Sequence, residues 1–163
     1  MTVEEARRLV ETIRGDRLEA LWVCALTVGL RRGELLGLRW SDVDLAAGTL
    51  TVRQTLLRAG GQLHFAEPKT ERSRRTVPVP EQTMALICAH RRRQAAERLQ
   101  AGGRWQDFGL IFASTIGTPM EPRNVDRAWH ATRARAGLPG YDCTISDTPA
   151  PRSFSRRAPH PAP

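Results

Sequence analysis

The spacing of the apolar residues changes twice along this chain, and the two changes limit the folds that it can adopt. Up to Leu38 the apolar residues recur at helical spacing, and from Gly48 they alternate with polar residues, as in half-buried strands. Helical spacing returns after Pro80. This order of helices, strands and helices predicts an α+β fold that is mainly helical and contains a small three-stranded antiparallel sheet.

Residues that begin and end elements make this prediction more specific. Thr2 and Glu5 are spaced as a capping box at the start of the first helix. Asp16 is placed to cap the second helix, and Gly29 is placed to end it. The remaining helices are predicted at 31–38, 81–100 and 122–136, and the strands at 49–54, 62–65 and 75–79, with a hairpin tip at Gly60-Gly61.

The charge of the chain indicates a class of partner. The 163 residues carry a net charge of +8, which favours a polyanionic partner such as nucleic acid. A GC-rich genome that enriches arginine is the alternative explanation. We find no apolar run long enough to span a membrane and no signal peptide. Cys24, Cys88 and Cys143 are spaced too widely for a metal site or a disulfide framework, so we expect a cytoplasmic protein without a structural metal.

One short stretch, EPKTERSRRTVPVP at residues 67–80, contains the single lysine of the chain. All the other basic residues, out of 25 in total, are arginines. Codon bias explains the arginines but does not explain why Lys69 is the exception. From composition alone, a chance occurrence stays open.

Two motifs resemble those of a known family. The stretch VGLRRGELLGLRWSDVDL, residues 28–45, closely resembles the first active-site box of the tyrosine recombinase (phage integrase) family. The stretch PKTERSRRTVPVP resembles the second region of that family, in which a lysine lies in a β-turn. The resemblance covers residues 2 to about 139. The residues that match the first box are Gly29, Arg31, Glu34, Leu35, Leu38, Trp40, Asp42 and Asp44.

The resemblance implies site-specific DNA recombination, in which DNA strands are cut and rejoined through a phosphotyrosyl intermediate. Arg31 would grip the scissile phosphate at the start of a helix, with two parallel hydrogen bonds. Lys69 would protonate the leaving 5′-oxygen, because a lysine can release a proton far more readily than an arginine. The implied contacts with the DNA backbone are made by Arg72, Arg74 and Arg75.

Other readings of these residues stay open. Arg31 is alternatively a surface arginine beside Arg32, and the arginines 72, 74 and 75 are alternatively a solvated strand edge. Glu34 is expected to be a buried structural partner of a backbone or arginine group rather than a catalytic base. The histidines lack metal-ligand spacing: His90 is expected at the surface or lightly packed, His130 as structural, and His64 along the hairpin.

The family's mechanism needs groups that the resemblance does not place in this chain. It requires a nucleophilic tyrosine and a His-x-x-Arg box on a later helix. The only tyrosine, Tyr141, lies before the position expected for that box, so we do not assign it as the nucleophile. The chain is therefore expected to be a truncated, catalytically inactive catalytic domain that lacks the family's N-terminal DNA-clamping domain.

The end of the chain suggests a reason for these missing groups. Residues 140–163 are rich in proline and lack apolar periodicity, which predicts a disordered tail. We also considered the reading frame that starts one nucleotide earlier at Tyr141. If the third base of each codon is chosen suitably, this frame is compatible with RLHDLRHT, which contains a His-x-x-Arg box. We therefore predict two parts: a partial catalytic domain at 1–139 and a tail at 140–163 that arose by a one-nucleotide frameshift in the gene or in the sequence read.

Partners and alternatives complete the prediction. Double-stranded DNA is the expected partner, other recombinase protomers are a second candidate, and no membrane is involved. No cofactor is implied, because the covalent intermediate conserves the phosphodiester energy. The expected location is the cytoplasm, in association with the nucleoid. The alternatives are a non-catalytic basic DNA-binding module and a product that does not fold stably.

Overall fold

The computed structural model describes residues 2–67 and 74–138. Within these ranges the helices are α1 (Val3–Ile13), α2 (Glu19–Val28), α3 (Arg32–Gly37), α4 (Glu81–Ala101) and α5 (Pro122–Arg135). The strands are β1 (Val43–Asp44), β2 (Thr49–Val52), β3 (Thr55–Ala59), β4 (Gln62–Ala66) and β5 (Arg75–Pro78). The order helices, strands, helices confirms the predicted α+β class.

The first two helices begin and end largely as the sequence predicts. The Thr2 hydroxyl accepts a hydrogen bond from the Glu5 N–H at 3.2 Å, and the Thr2 N–H donates to the Glu5 carboxylate at 2.6 Å. Gly29 ends α2 in the left-handed conformation, with φ of 68°. Asp16 is not the N-cap of α2, because Leu18 takes that position; the Asp16 carboxylate instead accepts from the Leu18 N–H at 2.8 Å.

A three-stranded antiparallel sheet has the order β1-β2-β5. In the pairing of β2 with β5, Leu50 lies opposite Val77 and Thr51 lies opposite Thr76. The hydroxyl oxygens of these two threonines lie 3.0 Å apart. A small three-stranded antiparallel sheet and a strand after Arg74 were both predicted. The sheet contains β1 (Val43–Asp44), which was not predicted, in place of the strand predicted at 62–65.

The hairpin tip at Gly60-Gly61 is also confirmed, but its strands form a separate two-stranded sheet. β3 pairs with β4, and Leu56 lies opposite Phe65. The strand predicted at 62–65 therefore pairs with β3 and not with the strand predicted at 49–54, which pairs with β5 instead. The chain leaves the first sheet after Val52, and the Gln54 side-chain amide donates to the Gly37 carbonyl at 2.7 Å, which directs β3 towards α3.

The core lies around α2, which is buried on most of its surface. Its Trp22 is fully buried and packs against Trp129 of α5, with ring centroids 5.0 Å apart. Ile87 of α4 and Phe112 of the following segment complete the same apolar cluster. The core thus joins the helices on both sides of the strand region, because α4 and α5 cover the helices that precede the sheet.

The prediction for His90 is also corrected, since its side chain is buried rather than at the surface. One ring nitrogen, Nε2, lies 2.8 Å from the Ile111 carbonyl oxygen, and the ring packs 5.4 Å from that of Phe112. A histidine beside three arginines in sequence can still face the core, because α4 points successive residues in different directions. In the described ranges, no helix is long and apolar enough to cross a membrane, and no cluster of metal-ligating side chains occurs.

Candidate functional site

Arg31 lies at the turn between α2 and α3. The left-handed Gly29 directs the chain out of α2, and Arg31 takes an extended conformation as the residue before α3. Its side chain is 73% exposed. Since α3 is only six residues long, the guanidinium rather than the helix terminus is the group available to an anion.

Glu34, one helical turn later, is buried directly beneath Arg31. Its carboxylate accepts a hydrogen bond from the Arg31 backbone N–H at 2.9 Å. It also accepts two parallel bonds from Arg75 of β5, each 2.9 Å long. The Arg31 guanidinium lies farther away, with Nη1 4.0 Å from Glu34 Oε1. Glu34 thus ties α3 to the sheet, as the prediction of a buried structural partner required.

The protonation of this pair follows from opposing effects. Burial by itself would raise the pKa of Glu34, but the bonds from Arg75 and the Arg31 N–H outweigh it and hold the pKa below its usual range. The same two bonds, which Arg75 donates to Glu34, raise the pKa of Arg75. The carboxylate is therefore ionised at neutral pH and is neutralised mainly by Arg75.

Two glycines let α3 lie unusually close to the hairpin. A Cβ on Gly33 would lie 2.5 Å from Thr55 Oγ1 and 2.7 Å from the Leu56 carbonyl oxygen. A Cβ on Gly37 would lie 2.9 Å from the Gln54 carbonyl oxygen. These glycines were not among the predicted site residues, although two glycines four residues apart on a short helix indicate a close approach on one face.

The neighbouring arginine has a different role. Arg32 forms an ion pair with Asp126, which joins α3 to α5, and only a third of its side chain is exposed. The side chains of the two successive arginines therefore point to different surroundings. Arg32 joins α3 to α5, and Arg31 extends towards solvent. This geometry agrees with the choice of Arg31 over Arg32 as the candidate phosphate ligand.

Comparison with known proteins agrees with these motifs. The model of the phage integrase family matches residues 1–151. The chain belongs to the phage integrase family. This confirms the predicted family and its association with DNA recombination and integration. The match extends past Leu138 into the predicted tail.

Two relatives illustrate the extent of the similarity. The chain is 33% identical to a XerC-like tyrosine recombinase of Caldanaerobacter subterraneus subsp. tengcongensis, over 96% of this chain and 43% of the relative. It is 31% identical to an integrase of Streptomyces ambofaciens, over 79% of this chain and 34% of the relative. The chain thus matches less than half the length of each of these relatives.

Solved structures share the fold. The crystal structure of XerA recombinase has a TM-score of 0.65 at 22% identity, over 85% of this chain and 42% of that one. The Tn1549 transposon integrase, solved in complex with transposon right-end DNA, has a TM-score of 0.63 at 21% identity, over 85% and 51%. These likenesses confirm the recombinase catalytic-domain fold.

The remaining residues of the first integrase box have structural contacts. The Trp40 indole N–H donates to Gln94 of α4 at 2.7 Å. The buried Asp42 carboxylate accepts from the Arg39 N–H at 2.9 Å, and Asp44 accepts from two N–H groups in the turn that follows. The box therefore fixes the path of the chain from α3 to β2. Of its eight matched residues, Arg31 and Asp44 are exposed, and only Arg31 is positively charged.

The second integrase region is only partly described. Lys69 and Arg72 lie outside the described residues, so their predicted roles stay predictions. The described residues that flank them, Glu67 and Arg74, form an exposed ion pair at 2.6 Å. Arg75 is occupied by Glu34, and its predicted contact with a phosphate also stays a prediction.

Two His-x-x-Arg sequences occur in the described helices, and neither was among the features predicted from the sequence. His90 is buried against Ile111, and Arg93 donates to the Asp16 carbonyl at 2.7 Å. His130 Nδ1 lies 2.7 Å from a nitrogen of Arg133, which is buried. His90 thus contacts the core and the half-buried Arg93 contacts the turn before α2, and both sequences precede the position where the integrase box is expected.

Proposed function

We propose that this chain forms the phosphate-binding half of an integrase catalytic domain and binds double-stranded DNA through Arg31. The observation that carries the proposal is an exposed guanidinium directly above a buried carboxylate that another arginine neutralises. A guanidinium in this setting keeps its positive charge, and its parallel N–H donors stay available for two hydrogen bonds to a phosphate.

The chemistry of phosphoryl transfer supports this role for Arg31. As a phosphodiester is attacked, negative charge grows on its non-bridging oxygens, so a guanidinium bound to them stabilises the transition state more than the ground state. Lys69 is the proposed general acid for the leaving 5′-oxygen. The proposed roles of Arg72 and Arg74 are to hold neighbouring phosphates.

The partner follows from charge and similarity together. The net charge of +8 favours a polyanion, and the Tn1549 integrase of similar fold was solved in complex with DNA. We therefore infer association with chromosomal DNA and with other recombinase protomers in the cytoplasm.

These 163 residues are proposed to bind DNA without cutting it. Their one tyrosine, Tyr141, belongs to the proline-rich segment 140–163 and is not the proposed nucleophile. Without a nucleophile no covalent phosphotyrosyl link forms. The proposed origin is a one-nucleotide frameshift after the partial catalytic domain at 1–139.

Binding is tested by fluorescence anisotropy with a random-sequence DNA duplex over a series of salt concentrations. Each neutralised phosphate contributes about −0.9 to the slope of log K against log salt concentration. We expect R31A to reduce the magnitude of this slope by about 0.9. An unchanged slope in folded R31A would contradict the assignment of Arg31 to a phosphate.

Cleavage and the frameshift are tested separately. Incubation with nicked and intact duplexes, followed by denaturing electrophoresis, is expected to show no covalent protein–DNA adduct; an adduct that disappears in Y141F would overturn this prediction. Resequencing of codons 136–150 and beyond from an independent template tests the frameshift. A neighbouring frame without HDLRHT would rule it out.

A further inference from the structure

The Glu34 carboxylate is shared unequally between two arginines. Arg75 donates to both carboxylate oxygens at 2.9 Å. Arg31 donates to Glu34 only through its backbone N–H, at 2.9 Å, and its guanidinium lies 4.0 Å from the nearer carboxylate oxygen. The Arg31 side chain is 73% exposed and the Arg75 side chain 35%. The buried carboxylate is thus satisfied from the strand side, and the exposed arginine is left free.

We propose that Arg75 is a positioning residue that occupies Glu34 and thereby keeps the Arg31 guanidinium available for a DNA phosphate. This inference rests on the proposed function of Arg31 and names the residue that maintains it. It replaces the expectation that Arg75 itself contacts DNA, because its Nη1 and Nη2 atoms both donate to Glu34.

Loss of Arg75 would change the partner of Glu34. A buried carboxylate without a cation is strongly disfavoured, so it pairs with any cation that can reach it. The Arg31 guanidinium is already at 4.0 Å, and an exposed arginine side chain rotates freely enough to close that gap. Arg31 would then be held by Glu34 and lost to the phosphate, although Arg31 itself is unchanged.

The experiment is a mutant cycle on the full chain, read by the salt dependence of binding to the random-sequence duplex. We expect R75Q to lower the magnitude of the slope by about 0.9, because Glu34 captures Arg31. We expect E34Q/R75Q to restore the wild-type slope, since no carboxylate remains to capture Arg31. Adding R31A is expected to have no further effect on R75Q but to lower the slope of E34Q/R75Q by about 0.9.

The chain offers a matched control in the Arg17–Glu97 pair. Arg17 also donates two bonds to one carboxylate, at 2.7 and 2.8 Å, and both side chains are largely buried. No basic side chain near Glu97 has an assigned role in phosphate binding. R17Q and E97Q/R17Q are therefore expected to leave the slope unchanged, which separates capture of Arg31 from a general effect of charge or folding.

The outcomes distinguish the two proposals. If E34Q/R75Q keeps a slope about 0.9 smaller than the wild type, Arg75 contacts a phosphate directly and the positioning role is wrong. This double variant has no unpaired buried charge, so it decides the question even if R75Q does not fold. If R31A leaves the wild-type slope unchanged, the phosphate role of Arg31 fails first, independently of Arg75.

Discussion

Two buried polar clusters fix the chain around the first integrase box, and they differ in charge. Beneath α3, the ionised Glu34 is held by Arg75. Beside α4, uncharged groups meet: Gln94 accepts from the Trp40 indole at 2.7 Å and donates to the Ile111 carbonyl at 3.0 Å, and His90 contacts the same carbonyl at 2.8 Å. The first cluster lies under an exposed arginine, and the second lies in the core.

The difference shows what each kind of cluster contributes. A neutral network joins elements through hydrogen bonds at a modest desolvation cost, so it suits a purely structural junction. A buried ion pair costs more to desolvate and is weak support for stability in itself. The proposed reason for the Glu34–Arg75 pair beneath Arg31 is that Arg75 occupies Glu34, so that the Arg31 guanidinium stays available for a phosphate.

The largest expected effect tests the packing that carries the charged cluster. In G33A the new methyl group would overlap the Leu56 carbonyl, which belongs to the backbone and cannot rotate away. We expect a loss of about 3 kcal/mol in the free energy of unfolding, measured by urea denaturation. G103A is the matched control, because a Cβ there meets nothing within 4 Å; a similar loss in both variants would contradict the close-approach explanation.

The next effect tests the neutral cluster. Q94A leaves the Trp40 indole N–H and the Leu110 carbonyl without the partner that they have now. We expect a loss of about 2 kcal/mol in the free energy of unfolding. Q82A, an exposed glutamine on the same helix, is expected to change stability by less than about 0.5 kcal/mol. Equal changes would show that the network contributes nothing beyond helix propensity.

Acid titration separates the two clusters by pH. Burial lowers the pKa of His90 below its usual value of 6.5. As the pH decreases below about 6.5, the unfolded chain therefore binds a proton at His90 more readily than the folded chain does, and stability falls. Glu34 also has a lowered pKa, so its contribution is complete above 4.5 and is lost only as the pH falls below that value.

This prediction is checked by thermal unfolding between pH 7 and pH 3. H90Q is expected to reduce the change in stability with pH near pH 6.5. E34Q is expected to reduce that change below pH 4.5. H64N, at an exposed position on β4, is the control for histidine loss. A wild-type profile in H90Q above pH 5 would show that His90 does not titrate as its burial requires.

The smallest expected effect on stability is that of R31A. Alanine keeps the backbone N–H that Glu34 accepts, and the lost side chain is mostly exposed, so unfolding should change by less than about 0.5 kcal/mol. R75Q removes both hydrogen bonds from β5 to the buried carboxylate and leaves Arg31 to be drawn onto Glu34, so it is expected to lose more. The free energy of unfolding of both variants is measured by urea denaturation. Equal losses in R31A and R75Q would show that the two arginines contribute equally to stability, which contradicts the difference proposed between them.

Sequence spacing was sufficient for the elements that carry local signals. The capping box at Thr2, the left-handed Gly29 and the burial of Glu34 three residues after Arg31 were all predicted correctly. The partner of Glu34 was not, because Arg75 is 41 residues away and its pairing depends on the register of β5. The second sheet was missed for the same reason, since alternation does not specify which strands pair.

Composition alone also could not single out Arg31 among the arginines of the chain. Ten arginines among the described residues lie within 4.0 Å of a carboxylate oxygen. A net charge of +8 predicts a polyanionic partner but does not say which side chains remain for it. Among these ten, the Arg31 guanidinium lies farthest from its carboxylate, at 4.0 Å, and Arg75 binds the same carboxylate at 2.9 Å.

The sequence by itself determined the family, the fold class and the residue that stands before α3, because these depend on short motifs and on apolar period. The tertiary structure decided that Arg75 rather than Arg31 neutralises Glu34, that Gly33 makes room for the hairpin, and that His90 faces the core. These outcomes depend on atoms that are distant in the chain and are brought within a few ångströms by packing, which no local pattern records.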